Sequence, residues 1–182
     1  TADNNTAVGY FALHANTTGA NNTTIGHASL RNNTTGGANT ALGQNALNNN
    51  TTASTNVAIG YSAMQENTTG DKNTAVGALA FDANTTGGDS TAIGYEALTG
   101  NTTGSANTSV GMYSLRGNTT GSDNTAVGQN SLRYNTTGAE NTAIAKNALL
   151  SNTTGASNVA VGRSAMYANT TGDSNTAIGV DS

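Results

Sequence analysis

Large apolar residues return along this chain in two columns. One is always aliphatic: Val8, Ile25, Leu42, Ile59, Val76, Ile93, Val110, Val127, Ile144, Val161 and Ile178. The other follows five residues behind: Leu13, Leu30, Leu47, Met64, Phe81, Leu98, Leu115, Leu132, Leu149 and Met166. Within each column every step is 17 residues, and no insertion breaks the count. A fixed period of this kind marks a repeat architecture. Numbering the unit from the Asn of N-T-A-V-G places the columns at positions 4 and 9, with ten whole units over residues 5–174 and partial units on either side. Residues 1–182 therefore read as one tandem-repeat domain, expected to be a window on a longer array.

Two large apolar residues in 17 cannot enclose a core for an isolated unit. Stacked units can bury them as continuous stripes, with neighbouring coils pairing edge to edge at about 4.7–4.9 Å. Helical solenoids use repeats of roughly 30 residues or more. Thr, Val and Ile in N-T-A-V-G favour strand, whereas N-T-T-G and the variable pair after it favour a turn. The predicted fold is all-β, a parallel β-solenoid of 17-residue coils. At one strand spacing per coil it would extend on the order of 50 Å.

Strand alternation puts positions 2 and 4 on one face. Position 2 is Thr except at Val57 and Val159, so this face is expected to point inward. Position 3 would then point outward, although it is Ala in all but Thr24 and Ser109. Position 8 is also always Ala or Ser, and adjacency to position 9 is expected to turn it away from the core. Two readings follow. A second chain packs closely against Ala12, Ala46, Ala63, Ala80, Ala97, Ala148 and Ala165, or the coil simply bends tightly there. Gly occupies position 5 in ten of eleven units, with Ala145 the exception; it suits a corner or a close backbone approach, without strictly requiring a left-handed conformation. Gly at position 15, replaced once by Ala53, reads the same way. Positions 6, 10, 11, 16 and 17 vary freely and should face solvent, where a partner would be read.

Composition changes the picture by exclusion. A net charge of −4 with 9% charged residues offers no basic surface, so no nucleic acid is expected as partner. No apolar run approaches the ~20 residues of a membrane span, so no membrane is expected in this segment. Cys is absent, which removes disulfide and thiol chemistry. Leu, Ile, Val and Phe make up only 25 of 182 residues, but small net charge and fixed apolar register argue against disorder.

The other invariant element is N-T-T, with Asn at 16, 33, 50, 67, 84, 101, 118, 135, 152 and 169. Stacked Asn side chains can hydrogen-bond along the axis and capture turn backbone groups. Each N-T-T is also an acceptor for N-linked sugar, which makes Asn16, Asn33, Asn50, Asn67, Asn84, Asn101, Asn118, Asn135, Asn152 and Asn169 candidate glycosylation sites; bare Thr could carry O-linked sugar instead. A third reading is ice binding by Thr ranks. It fits poorly if position 2 points inward and the two adjacent Thr of N-T-T point to opposite faces.

Catalysis is not expected. His14 and His27 sit at variable positions with no recurring acidic or nucleophilic partner. Asp71, Asp89, Asp123 and Asp173 fall at positions 16 and 17 without the regularity of a calcium repeat, and read as a solvated loop. No cofactor and no metal is expected.

Asn56-Val57-Ala58-Ile59-Gly60 and Ser157-Asn158-Val159-Ala160-Val161-Gly162 resemble the S-V-A-I-G repeat in the heads of trimeric autotransporter adhesins, and similar repeats of phage tail fibres. The resemblance covers all 182 residues. It implies a left-handed parallel β-roll, usually a homotrimer joined through small residues, serving adhesion or fibre building outside the cell. This repeat is longer than the commonest one of that family by its N-T-T-G turn, and no neck, stalk or anchor is seen. The expected function is thus a stiff rod in an extracellular fibre or filament: adhesin, phage tail fibre or surface filament. Its partners would be itself, as homotrimer or end-to-end filament, with a host-surface receptor or glycans as further candidates. The alternative is a ligand-binding solenoid for ice, glycan or receptor that uses the variable positions.

Overall fold

The computed structural model describes residues 2–182. Eleven three-residue strands, β1 (Thr6–Val8), β2 (Thr23–Ile25), β3 (Thr40–Leu42), β4 (Val57–Ile59), β5 (Thr74–Val76), β6 (Thr91–Ile93), β7 (Thr108–Val110), β8 (Thr125–Val127), β9 (Thr142–Ile144), β10 (Val159–Val161) and β11 (Thr176–Ile178), form one parallel sheet in chain order. The register is one full unit throughout, as in Thr108↔Thr125 and Val110↔Val127. There is no helix among the described residues. The 17-residue β-solenoid is therefore as the periodicity predicts, with one short strand and a long turning path in each coil.

Backbone bonding between coils continues well beyond the strands. In the turning path Leu115 N–H donates to the Ser131 carbonyl (3.0 Å), Gly117 N–H to Arg133 (2.8 Å) and Thr119 N–H to Thr136 (2.8 Å). On the far side Asp123 N–H donates back to the Ser105 carbonyl at 3.1 Å. Most backbone groups thus find partners one coil away, which is how a narrow coil avoids orphaned polar groups.

The corners are made by left-handed residues at positions 7, 9 and 17. Tyr113, Leu115 and Asp123 have φ of 61°, 48° and 59°, and their equivalents repeat this from coil to coil. At position 5 the glycines have φ of 131–140°, a region other residues rarely adopt. A side chain at Gly111 would also stand 2.7 Å from the carbonyl carbon of Gly128. Here the expectation needs correcting, since positive φ is required at position 5 after all. Ala145 keeps it by moving to φ 99°.

The inside and outside of the strand are the reverse of the expectation. Ala41, Ala58, Ala75, Ala92, Ala126, Ala143 and Ala160, all at position 3, are fully buried. The aliphatic residues at position 4 are more open, Ile25 at 44% and Ile144 at 39% exposure. The reason is width. Only position 9 reaches across the interior with a large side chain, and the walls at positions 3 and 8 must be small to admit it. The core is therefore a file of Leu30, Leu47, Met64, Phe81, Leu98, Leu115, Leu132 and Leu149 held between alanines.

Two further files line the interior, both Asn. At position 12, Asn118 Nδ2 donates to the Gly121 carbonyl (2.8 Å) and to Oδ1 of Asn101 in the preceding coil (2.7 Å), while its own Oδ1 accepts from Asn135 Nδ2 (2.8 Å). At position 1, Asn107 Nδ2 donates to the same Gly121 carbonyl (2.9 Å), and its Oδ1 accepts the Asn124 backbone N–H (3.0 Å). Each position-15 carbonyl is thus clamped from two sides, and fully buried amides are satisfied as burial demands. Ser90 is the one interruption at position 1. Its Oγ still accepts the Asn107 N–H at 3.1 Å, but it has no second arm for the Gly104 carbonyl.

Candidate functional site

The seven alanines read as an inter-chain contact, Ala12, Ala46, Ala63, Ala80, Ala97, Ala148 and Ala165, lie inside the coil. Six of them have no exposed surface, and Ala12 in the first coil is partly buried. They cannot meet a second chain because they already face position 3 across the interior. Where position 3 carries a hydroxyl, position 8 answers it: Thr24 with Ser29, and Ser109 with Ser114 at 2.5 Å. The tight-bend reading of these small residues is the one the geometry supports.

The candidate N-glycosylation residues are corrected on similar grounds. Asn33, Asn50, Asn67, Asn84, Asn101, Asn118, Asn135 and Asn152 are fully buried, and their Nδ2 hydrogens are committed to the ladder. Asn16 and Asn169, at the two ends of the file, are partly buried, and each donates Nδ2 to its glycine carbonyl. A sugar on any of these nitrogens would displace a hydrogen bond of the ladder and the wall of the coil. The Asn column is the ladder.

Three exposed features remain. The first is the outer face of the sheet, where position 2, Thr in all strands but β4 and β10, and an aliphatic residue at position 4 stand in parallel ranks. The second is the arc of positions 6, 7, 10 and 11, whose residues differ from coil to coil. Between β6 and β9 this arc gathers Tyr95 edge-on to Tyr113 (5.6 Å), Arg116 and Arg133 over the Tyr113 ring (5.4 and 5.0 Å) and a 2.6 Å Glu96–Arg116 ion pair. Burial pushes the Glu96 carboxyl up, but hydrogen bonds from Arg116 and Tyr95 outweigh it and hold the group below its ordinary range. Near the start of the chain His27 stacks on Tyr10 and His14 meets Phe11 edge-on, so both imidazoles belong to aromatic contacts.

In the same arc Asp82 is held at about 6 by burial and by the neighbouring Glu66 carboxylate. Its Oδ1 and Arg133 Nε are the buried side-chain polar atoms without a hydrogen bond among the described residues. No group of three or more His, Cys, Asp or Glu able to hold a metal occurs among those residues.

The third feature is the N-T-T-G edge. Thr at position 13 ties coil to coil, because its Oγ1 donates to the carbonyl of the same residue one coil on, as in Thr85→Thr102 (2.9 Å) and Thr119→Thr136 (3.0 Å). Thr at position 14, at 18, 35, 52, 69, 86, 103, 120, 137, 154 and 171, is exposed in every coil. Among the described residues none of these ten hydroxyls has a hydrogen-bond partner. The sequence carries no signal for this difference, because both threonines are invariant through all ten units. Acidic residues beside it make small bonds of their own. Asp71 Oδ1 accepts the Ser54 N–H (2.6 Å), Asp173 Oδ1 accepts the Ala156 N–H (2.7 Å), and Asp89 lies 4.0 Å from Lys72.

No protein-family model matches this chain, and no curated protein or solved structure is significantly similar to it.

Proposed function

We propose that this chain is a rod segment of an extracellular structural fibre or filament, of the kind found in adhesins, phage tail fibres and surface filaments, and that it works as a homo-oligomer without catalysis. One observation carries the reading: every strand pairs only with the strands before and after it, through the same register and the same Asn clamps. Such a stack has no natural size, so added units add length and nothing else. Arrays of ten and twenty units, measured by solution scattering, should differ twofold in length at unchanged cross-section. A globule whose cross-section grows with unit number would end the proposal.

Self-association is assigned to the outer sheet face rather than to the alanines. A rank of exposed Val and Ile along a regular sheet is an uncommon surface for a lone chain, and a second copy offers the same spacing. Sedimentation of the chain and of V110K/V127K together tests this: the assembly should fall to monomers in the variant, and an unchanged assembly would clear the face of that role.

A second reading draws on the same face. Position 2 points outward, so nine Thr and two Val of β1–β11 stand in file at about 4.7–4.9 Å along the axis. A rank this regular suits an ordered solid such as ice, and the outward orientation removes the objection that an inward-facing rank would raise. Thermal hysteresis by a monomeric preparation would support this reading, and unhindered growth of ice crystals would reject it.

A further inference from the structure

We propose that the position-14 threonines form a column of O-glycosylation sites, each carrying a small neutral sugar. The proposal is independent of the rod reading and rests on the edge of the coil alone. The other near-constant polar groups of the repeat are consumed inside the chain, apart from the position-2 threonines of the sheet face, which give way to Val57 and Val159. Position 1 and position 12 amides clamp the glycine carbonyl, and the position-13 hydroxyl bonds the next coil, as Thr102 Oγ1 does to the Thr119 carbonyl at 3.1 Å. Position 14 alone is invariant, exposed and unbonded. Backbone conformation does not demand Thr there, since none of the ten lies in the left-handed region. Val would serve this backbone equally well, and Ser or Asn would serve solvent, yet none of the three appears there in ten units.

A second observation is the clearance around the column. Position 15 is Gly or Ala, and position 16 is only Ala, Gly, Ser or Asp. All Tyr, Arg and His side chains lie on the other arc, at positions 6, 7, 10 and 11. The two residues that follow the free hydroxyl, at positions 15 and 16, thus carry no bulky side chain in any coil.

Charge decides the class of adduct. Phosphate on each Thr would set about two negative charges at each rung, about 4.8 Å apart, and neighbours so close repel strongly even in water. Lys72 is the lone cation at positions 16 and 17, so almost nothing on this edge would offset the file. A neutral sugar escapes that repulsion. The same spacing favours a small adduct, because next to the surface each has about one strand separation of axial room. In the transfer the Thr Oγ1 attacks the anomeric carbon of a nucleoside-diphosphate sugar. The carbon–oxygen bond to phosphate breaks, the nucleoside diphosphate leaves with the electron pair, and the hydroxyl proton passes to a base of the transferase acting in trans.

Intact mass and fragment-ion mapping of the chain from its natural source test this. The expected result is a mass above that of the polypeptide in sugar-sized steps, with the adducts on Thr86, Thr103, Thr120 and their equivalents. A mass equal to the polypeptide, phosphate in place of sugar, or sugar confined to position 13 or to Asn would each overturn the proposal. Paired variants in the same source separate attachment from structure. T103V should lose its own adduct and keep the thermal midpoint, whereas T102V should keep the neighbouring adduct and lower the midpoint. A T103V chain that retains full modification would equally overturn the assignment.

Discussion

The two arcs of each coil solve the same problem with opposite chemistry. On one, buried Asn amides at positions 12 and 1 grip the Gly carbonyl and each other, and the sequence is nearly constant except at positions 16 and 17. On the other, positions 5 to 11, a buried Leu or its equivalent fills the space between alanines, and the outward residues change from coil to coil. A hydrogen-bonded arc needs each donor and acceptor in place. An apolar arc needs only volume, so it tolerates Met64 and Phe81 where other coils have Leu. The difference matches the placing of the Tyr, Arg and His residues, all of which lie on the apolar arc.

The comparison can be broken most forcefully from the Asn side. Asn118→Ala leaves the Gly121 carbonyl with the Asn107 donor alone, strands Asn101 Oδ1 in the interior and frees one of the two Asn135 Nδ2 hydrogens, the other staying on the Gly138 carbonyl. With about 1–3 kcal/mol for each buried group left unpaired, a loss of about 4 kcal/mol is expected in denaturant unfolding. Leu115→Ala in the same coil removes apolar contact without orphaning any polar atom, and should cost about 3 kcal/mol. If the Leu variant proves much the more damaging, the Asn arc is decoration and not a clamp.

Smaller changes sharpen the contrast. Ser90→Asn restores the missing arm to the Gly104 carbonyl and should stabilise the chain by about 1 kcal/mol, read as a raised unfolding midpoint. On the variable arc, Asp82 has a folded pKa of about 6, above its ordinary value of 3.8. Its neutral form is therefore favoured by folding: the benefit is complete below about pH 4 and is lost as pH rises through 6. Asp82→Asn should remove that slope and gain on the order of 1 kcal/mol at pH 7, a figure discounted because the group is only half-buried. An unchanged pH profile would show that Asp82 does not feel its surroundings as the geometry implies.

The period and the parallel stacking were both legible, because stacking is how an unbroken 17-residue register buries positions 9 together. The Asn ladder was legible too. The facing of the strand was not. Alternation states which residues share a face but not which face is inside, and the larger aliphatic residues at position 4 drew the inference the wrong way. The matched hydroxyls at Thr24 and Ser29, and at Ser109 and Ser114, held the answer, since each hydroxyl at position 3 has one at position 8 of its own coil and the two touch. The left-handed backbone at Leu115 and its equivalents was invisible, because Leu carries no signature for positive φ and the bend is imposed by stacking. The free hydroxyl of Thr120 was hidden for another reason: only coordinates separate it from the committed one at Thr119.

Three left-handed residues recur in each coil, and most are residues that resist that conformation, at a cost of about 1 kcal/mol apiece. A coil in solitude has nothing to offset that strain, whereas a coil laid on a finished neighbour gains a full circuit of bonds at once. Winding should consequently be hard to initiate and easy to continue, so that a newly made chain grows by laying turns upon an existing end and rarely begins a second spool of its own.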